Sequence, residues 1–316
     1  MNKSTNFTDI FETIKNSKKI LITAHRYPDT DAVGSCLALS LILDSINKEN
    51  KIWLSDIHHD HFKFLPNNNQ IERDFPKTFK YDCCIVLDCS DISRVNKSHF
   101  IEDATHSFQL INIDHHSDNT YFGDMNIVEK ISSVGELIYK HFNTINMTFT
   151  KDMATCLYAA ISFDTGRFAF SSVTKETLLA AADLVDHGAE PAPLTRALDE
   201  NRTIRDLELI KVCIDNLVIN EEKKYVYSVI PKNAPKGNLK LIDFIRKLHG
   251  YEVFIIFQEL KPYVTKINLR SKTYFNVSEF SKQFGGGGHI HAAGILIDNS
   301  LNDIKDDLLK ALDNAL

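Results

Sequence analysis

The chain of 316 residues has no cysteine pair in C-x-x-C spacing and no surplus of positive charge. It also has no apolar run near the roughly 20 residues that a membrane-spanning helix needs. Each absence excludes something. The six cysteines, Cys36, Cys83, Cys84, Cys89, Cys156 and Cys213, are scattered. Cys83 and Cys84 are adjacent, so they face opposite sides of any strand, and several of the six sit in apolar runs. They read as reduced core thiols, not as a disulfide framework or a zinc site. The N-terminal stretch MNKSTNFTDIFETIKNSKK is polar and helix-like and has no signal-peptide core, so a cytoplasmic protein without membrane partners is expected. A net charge of −6 counts against binding long duplex nucleic acid, where neutralising many phosphates supplies the affinity. It leaves room for a small phosphorylated ligand held by a few local charges or by a metal.

What is present is an ordinary globular balance, 43% hydrophobic and 25% charged, in a length that suits two domains. In the first half, KKILITA, KIWLS, DCCIVLD, SFQLINID and NIVE read as short strands. AVGSCLALSLILDSINK, SSVGELIYKHF and DMATCLYAAISF carry helical spacing. Strands alternating with helices imply an α/β fold with a doubly wound, mainly parallel sheet. Gly188, Pro191 and Pro193 interrupt the pattern, which places a boundary near residue 195 and gives domains of 1–195 and 196–316. The second, smaller α/β domain contains the strands KKYVYSVI, YEVFIIFQEL and YVTKINLRS, a helix through NVSEFSKQF, the run GGGGH, the strand AAGILID and a final amphipathic helix.

In open α/β sheets ligands bind at the carboxyl ends of the strands. The first strand runs into His25, Asp29 and Asp31. DCCIVLD ends on Asp88, with Asp91 just beyond, and SFQLINID ends on Asp114, His115 and His116. DMATCLYAAISF leads to Asp164. Singly, these residues have simple explanations as helix caps, turn residues or a solvated loop. Together they bring carboxylates and imidazoles from four segments to one edge of one sheet. The set is rich in oxygen and has no thiolate, which suits manganese, magnesium or cobalt better than structural zinc. So many carboxylates would repel one another without a cation, and two cations fit better than one. A pair of ions about 3.5–4 Å apart activates water and steadies phosphoryl charge without a serine or cysteine nucleophile.

GGGGHIHAAG lets a backbone approach a ligand closely and offers N–H groups to phosphate oxygens, or else forms a flexible hinge. No Gly-Lys-Ser/Thr follows, so it is not a P-loop. His289 beside it, and Arg270 with Ser271 ending a nearby strand, favour phosphate. Arg94 either approaches the metal centre or pairs with a surface carboxylate. Ser132 and Ser133 open a helix, where a cap or a phosphate contact is expected. His58, His59 and His61 read as a solvated loop beside Asp56 and Asp60.

HRYPDTDAVGS, VLDCSD, DHH and DTGRF resemble, in order and spacing, four successive motifs of the DHH phosphoesterases, over most of the first 170 residues. That group includes RecJ-type exonucleases, family II pyrophosphatases and small oligoribonucleases that also dephosphorylate 3′-phosphoadenosine 5′-phosphate. The resemblance implies that His25, Asp29 and Asp88 hold one ion. It implies that Asp31, Asp88, His115 and Asp164 hold a second, with Asp114 orienting a ligand histidine and His116 meeting the substrate phosphate. Tyr27 and Thr30 stand where Asn and Gly are frequent, which bears on loop shape and substrate preference. GGGGH resembles the glycine-rich signature of the C-terminal domain that accompanies many DHH domains. It implies nucleotide contacts from Arg270, Gly286, Gly287, Gly288 and His289. Independently of the resemblance, Ser271, Arg94 and Ser133 read as further substrate contacts, and the substrate is expected in the cleft between the domains.

A compact chain with this signature points to the oligoribonuclease and nucleotide-phosphatase (nanoRNase) branch. The expectation is a manganese-dependent hydrolase with two ions, magnesium or cobalt serving as substitutes. It would convert short single-stranded oligonucleotides to 5′-mononucleotides and phosphoadenosine phosphate to AMP, and a homodimer is compatible with it. The rivals are a phosphodiesterase for linear dinucleotides from cyclic dinucleotide turnover and a non-catalytic nucleotide sensor. The sensor would be expected to lose ligands, whereas every ligand position here is filled.

Overall fold

The computed structural model describes residues 4–96, 108–200, 203–235 and 241–316, which fall into two compact units, 1–200 and 201–316. Unit 1 contains α1 (Phe7–Asn16), β1 (Lys19–Ala24), α2 (Thr30–Ser45), β2 (Glu49–Trp53), β3 (Ile71–Glu72), β4 (Cys83–Leu87), β5 (Gln109–Asp114) and β6 (Met125–Val128). It continues with α3 (Val134–Thr144), α4 (Lys151–Asp164), α5 (Lys175–Asp186) and α6 (Pro191–Asp199). Its six strands are all parallel, in the order β3-β2-β1-β4-β5-β6. The sequence order therefore reverses direction between β1 and β4.

The central strands are unbroken apolar runs because both of their faces are covered. Ile20, Ile22, Cys83, Ile85 and Ile113 face a core shared with the helices. Leu21, Cys84, Val86 and Leu110 face a second cluster with Trp53, Phe75, Tyr81 and Phe108. Cys83 and Cys84 thus lie on opposite faces, and all six cysteines are buried and free. Helices α2 and α3 press closely on α4. A Cβ at Gly34 would stand 2.7 Å from the Cys156 carbonyl oxygen, and one at Gly135 would stand 2.5 Å from the Ala160 Cβ. No helix among the described residues is long and apolar enough to cross a membrane.

Unit 2 comprises α7 (Ile204–Asp215), β7 (Leu217–Asn220), β8 (Tyr225–Ile230), α8 (Leu241–Ile245), β9 (Val253–Lys261) and β10 (Val264–Ser271). It ends with α9 (Val277–Lys282), β11 (Gly287–His289), β12 (Ala292–Ile297) and α10 (Leu301–Ala315). Its sheet runs β11-β12-β10-β9-β8-β7, antiparallel except for the β8–β9 pair. Strand β9 is buried on both sides: Phe254 and Ile256 pack toward α7 and α8, and Ile255 and Phe257 toward α9 and α10.

Several features differ from the sequence reading, helices α5 and α8 among them. Strands β3 and β7 were not expected. The glycine run is not wholly a loop, since Gly287–His289 pair with β12 as an edge strand. Pro191 starts α6 at a position where its missing N–H costs nothing. That helix buries Leu194 in the core of unit 1, so the units divide after Glu200 instead of near residue 195.

Candidate metal centre

The reversal between β1 and β4 is the topological switch point at which open parallel sheets bind ligands. The chain leaves β1 at His25 and β4 at Asp88. Asp88 turns there with φ 51, a left-handed conformation that Asp tolerates better than most residues. Asp88 is 3% exposed. Oδ2 lies 3.5 Å from His25 Nε2, and Oδ1 lies 3.5 Å from His115 Nε2. Oδ1 is buried without a hydrogen-bond partner, an arrangement that destabilises the fold unless a cation compensates it.

The tautomers sharpen this point. His25 Nδ1 donates to the Arg26 carbonyl at 2.7 Å, and His115 Nδ1 donates to the Ile131 carbonyl at 3.2 Å. Both rings therefore turn Nε2 toward the Asp88 carboxylate. An unprotonated Nε2 facing a carboxylate needs a proton or a metal ion between them. Burial opposes charge on His25, but Asp88 overrides it and raises the imidazole to about 9. His115 is likewise raised well above its ordinary value, against burial, by Asp88, Asp31 and Asp164.

The remaining carboxylates surround this pair. Asp29 caps α2, its Oδ1 accepting from the backbone N–H of Asp31 at 3.1 Å and of Ala32 at 3.2 Å. Capping does not remove it from the site, because His25, Asp29 and Asp88 each place a ligand atom within 4.8 Å of the others. Asp31 is fully buried. It accepts from Val134 N at 2.8 Å, Gly135 N at 3.0 Å and Ser35 Oγ at 3.1 Å. Burial first, and Asp88 next, push it up to about 7. Asp164, at the end of α4, lies 3.3 Å from His115 Nε2 and is pushed up to about 9 by burial and then by Asp31. Asp31, His115 and Asp164 form a second group within 4.8 Å, and Asp88, His115 and His116 a third. Buried oxygens and imidazoles that crowd one another's charge, with one oxygen orphaned, fit divalent cations. His58, His59 and His61 belong to no such group among the described residues.

The other expected residues divide. Asp114 orients His116, its Oδ1 accepting from His116 Nδ1 at 2.7 Å, whereas the Ile131 carbonyl orients His115. Asp114 Oδ2 takes the Asn119 amide at 2.6 Å, and that amide also reaches Asn112 Oδ1 at 2.8 Å. Burial alone would raise Asp114, but His116 and Asn119 hold it below the usual carboxylate range. Asn112 and Asn119 were missed in the sequence. The available signal was an amide inside the apolar run of β5, because a buried amide in a central strand must find partners. Ser133 is buried, and its hydroxyl accepts from Glu136 N at 3.0 Å as the cap of α3. The N–H groups of Val134 and Gly135 that a phosphate would need are taken by Asp31. Arg94 is exposed, with Nη1 3.2 Å from Ser90 Oγ.

In unit 2, Arg270 is the penultimate residue of β10, with Nε 3.5 Å from Asp243 Oδ1. Ser271 is fully buried, with Oγ 2.9 Å from His291 Nδ1, so a substrate contact through its side chain is not supported. Gly286 and Gly288 are demanded by packing. A Cβ would meet Ile295 Cγ1 at 2.5 Å from Gly286, and the Ala292 carbonyl oxygen at 2.3 Å from Gly288. A Cβ at Gly287 would meet nothing within 4 Å, and His289 follows in β11 opposite Ala292.

Residues 19–161 match the DHH family, N-terminal domain, and residues 222–316 match the DHHA1 domain. The chain is 27% identical over 301 residues to the bifunctional oligoribonuclease and PAP phosphatase NrnA of Thermus thermophilus, covering 94% of this chain and 90% of that one. It is 27% identical over 297 residues to the probable bifunctional oligoribonuclease and PAP phosphatase NrnA of Streptococcus mutans, covering 92% and 93%. The fold is similar to the crystal structure of an exopolyphosphatase-related protein from Bacteroides fragilis, with a TM-score of 0.90, 22% identity and coverage of 99% and 98%. The two domains follow one another along this chain, and acidic and imidazole groups gather at the switch point of the first unit: the protein is a phosphoester hydrolase that carries a DHH domain and a DHHA1 domain.

Proposed function

We propose that the protein uses two divalent ions, preferentially manganese, to hydrolyse short oligonucleotides to 5′-mononucleotides and to convert 3′-phosphoadenosine 5′-phosphate to AMP. One observation carries the two-ion reading: the buried Asp88 carboxylate turns one oxygen toward each of two histidine Nε2 atoms, and Oδ1 has no hydrogen bond. The relatives' names support the choice of substrates.

His25, Asp29 and Asp88 hold one ion, and Asp31, Asp88, His115 and Asp164 the other. When bound, such ions supply an activated water at neutral pH and neutralise charge developing on the phosphoryl oxygens. Asp31 is held by the first N–H groups of α3, so its carboxylate is already in place before substrate arrives. His116 keeps Nδ1 on Asp114 and offers Nε2–H to a phosphate oxygen. Arg270 and the open backbone at Gly287 are the nucleotide contacts proposed for unit 2; the side chain of His289 lies outside the described residues.

The purified protein with manganese, offered phosphoadenosine phosphate, pApA, a five-nucleotide RNA, a long single strand and pyrophosphate, tests this reading. Turnover of the first three well above the last two is expected. Preference for pyrophosphate, or equal turnover of the long strand, contradicts it. Nucleotide binding without turnover would identify a sensor.

A further inference from the structure

Between the candidate ligands His25 and Asp29 stands a tyrosine that the metal chemistry does not use. Tyr27 has φ 54 and is 67% exposed. A bulky side chain in the left-handed region is strained, and Pro28 restricts the preceding residue further. Such strain persists only where the surroundings impose it. Here the surroundings are fixed: Arg26 N donates to the Arg94 carbonyl at 2.8 Å, and the Arg26 carbonyl takes His25 Nδ1 at 2.7 Å. The turn that orients a candidate metal ligand therefore also aims the Tyr27 ring into solvent.

The ring has a built backing. The Arg26 guanidinium lies 5.3 Å from its centroid, with Nη2 3.4 Å from the phenol oxygen. Asp56 anchors that guanidinium, its Oδ2 taking Arg26 Nε at 3.0 Å. A ring stiffened on one side by a tethered cation and otherwise largely exposed is a stacking platform. Nucleobases stack on such rings with little regard to sequence. One residue separates Tyr27 from each of His25 and Asp29, which is within the reach of a nucleotide whose phosphate lies at the metal centre.

We infer that Tyr27 is a specificity-determining residue: its ring stacks on the base of the nucleotide whose phosphate is attacked, selecting nucleotide esters over base-free phosphate esters while discriminating little among bases. This inference rests on the proposed nucleotide hydrolysis.

The test compares kcat/KM, with manganese, for pApA and for the two dinucleotides in which one or the other base is removed. Wild type, Tyr27→Trp and Tyr27→Asn are compared, because Asn accepts the left-handed backbone and deletes only the ring. Wild type should favour pApA over one abasic form by roughly tenfold. Tyr27→Asn should erase most of that preference through a higher KM on pApA, Tyr27→Trp should keep it, and manganese titrations should show the metal loop intact. An equal loss on all three substrates, or no loss on any, overturns the inference. If wild-type protein fails to hydrolyse pApA, the hydrolytic reading is what fails. Calorimetric binding of AMP then decides the platform: about tenfold weaker binding in Tyr27→Asn sustains it, and equal binding overturns it.

Discussion

His116 Nδ1 lies 2.7 Å from Oδ1 of Asp114, a carboxylate buried completely at the end of β5. Burial disfavours charge on His116, but Asp114 and Asp88 raise its pKa above the ordinary value. Asp114→Asn should lower that pKa and free the ring to turn. Activity should fall by roughly 10–100-fold, the usual cost of removing a residue that positions a histidine. The alkaline limb of the kcat/KM profile should move to lower pH. A reduced rate with an unmoved limb would show that His116 does not act as a donor.

Stability of the metal-free protein should depend on pH in a defined direction. Asp31 is raised to about 7 and Asp164 to about 9, both by burial first, and His25 is raised to about 9 by Asp88 against burial. All three bind a proton more tightly folded than unfolded, so their contribution is lost as pH rises through these values. Asp88 and Asp114 are depressed, and their contribution is lost only in acid. Between about pH 6.5 and 9 the Tm of chelator-treated protein should therefore fall, on the order of several °C. Manganese should flatten that slope, since it replaces the protons. A Tm that rises over this range without metal would contradict the assigned crowding of charge.

The glycines of β11 should separate packing from binding. Gly288 has φ 144 and no room for a Cβ, so Gly288→Ala should cost roughly 1–3 kcal/mol and lower the Tm. At Gly287 a Cβ meets open space, so Gly287→Ala should keep its Tm. A rise in its KM for nucleotides would then report a lost substrate approach. Equal Tm losses in both variants would show that the strand assignment fails.

The sequence made the parallel sheet and the acidic strand ends readable because central strands covered on both faces are continuous apolar runs. Polar residues that abruptly follow such runs must lie at their ends. Pairing geometry was not readable. Ile71–Glu72 and Gly287–His289 become strands only because β2 and β12 are beside them. Side-chain direction was equally hidden: Ser133 and Ser271 stand next to the expected site residues, yet both hydroxyls are buried and committed to neighbours. The partner of Asp114 depends on how the chain turns after β5, which places His116 and Asn119, not His115, on its oxygens.

The central claim is that Asp88 is shared by two ions. Calorimetric titration with manganese, together with turnover of pApA, on wild type and Asp88→Ala tests it most directly. Wild type should bind two ions per chain. Asp88→Ala should fold, lose tight binding at both sites, and lose more activity than the roughly 100-fold that follows loss of a merely positioning residue. An Asp88→Ala protein that still binds two manganese ions and turns over pApA at a near wild-type rate would contradict the account.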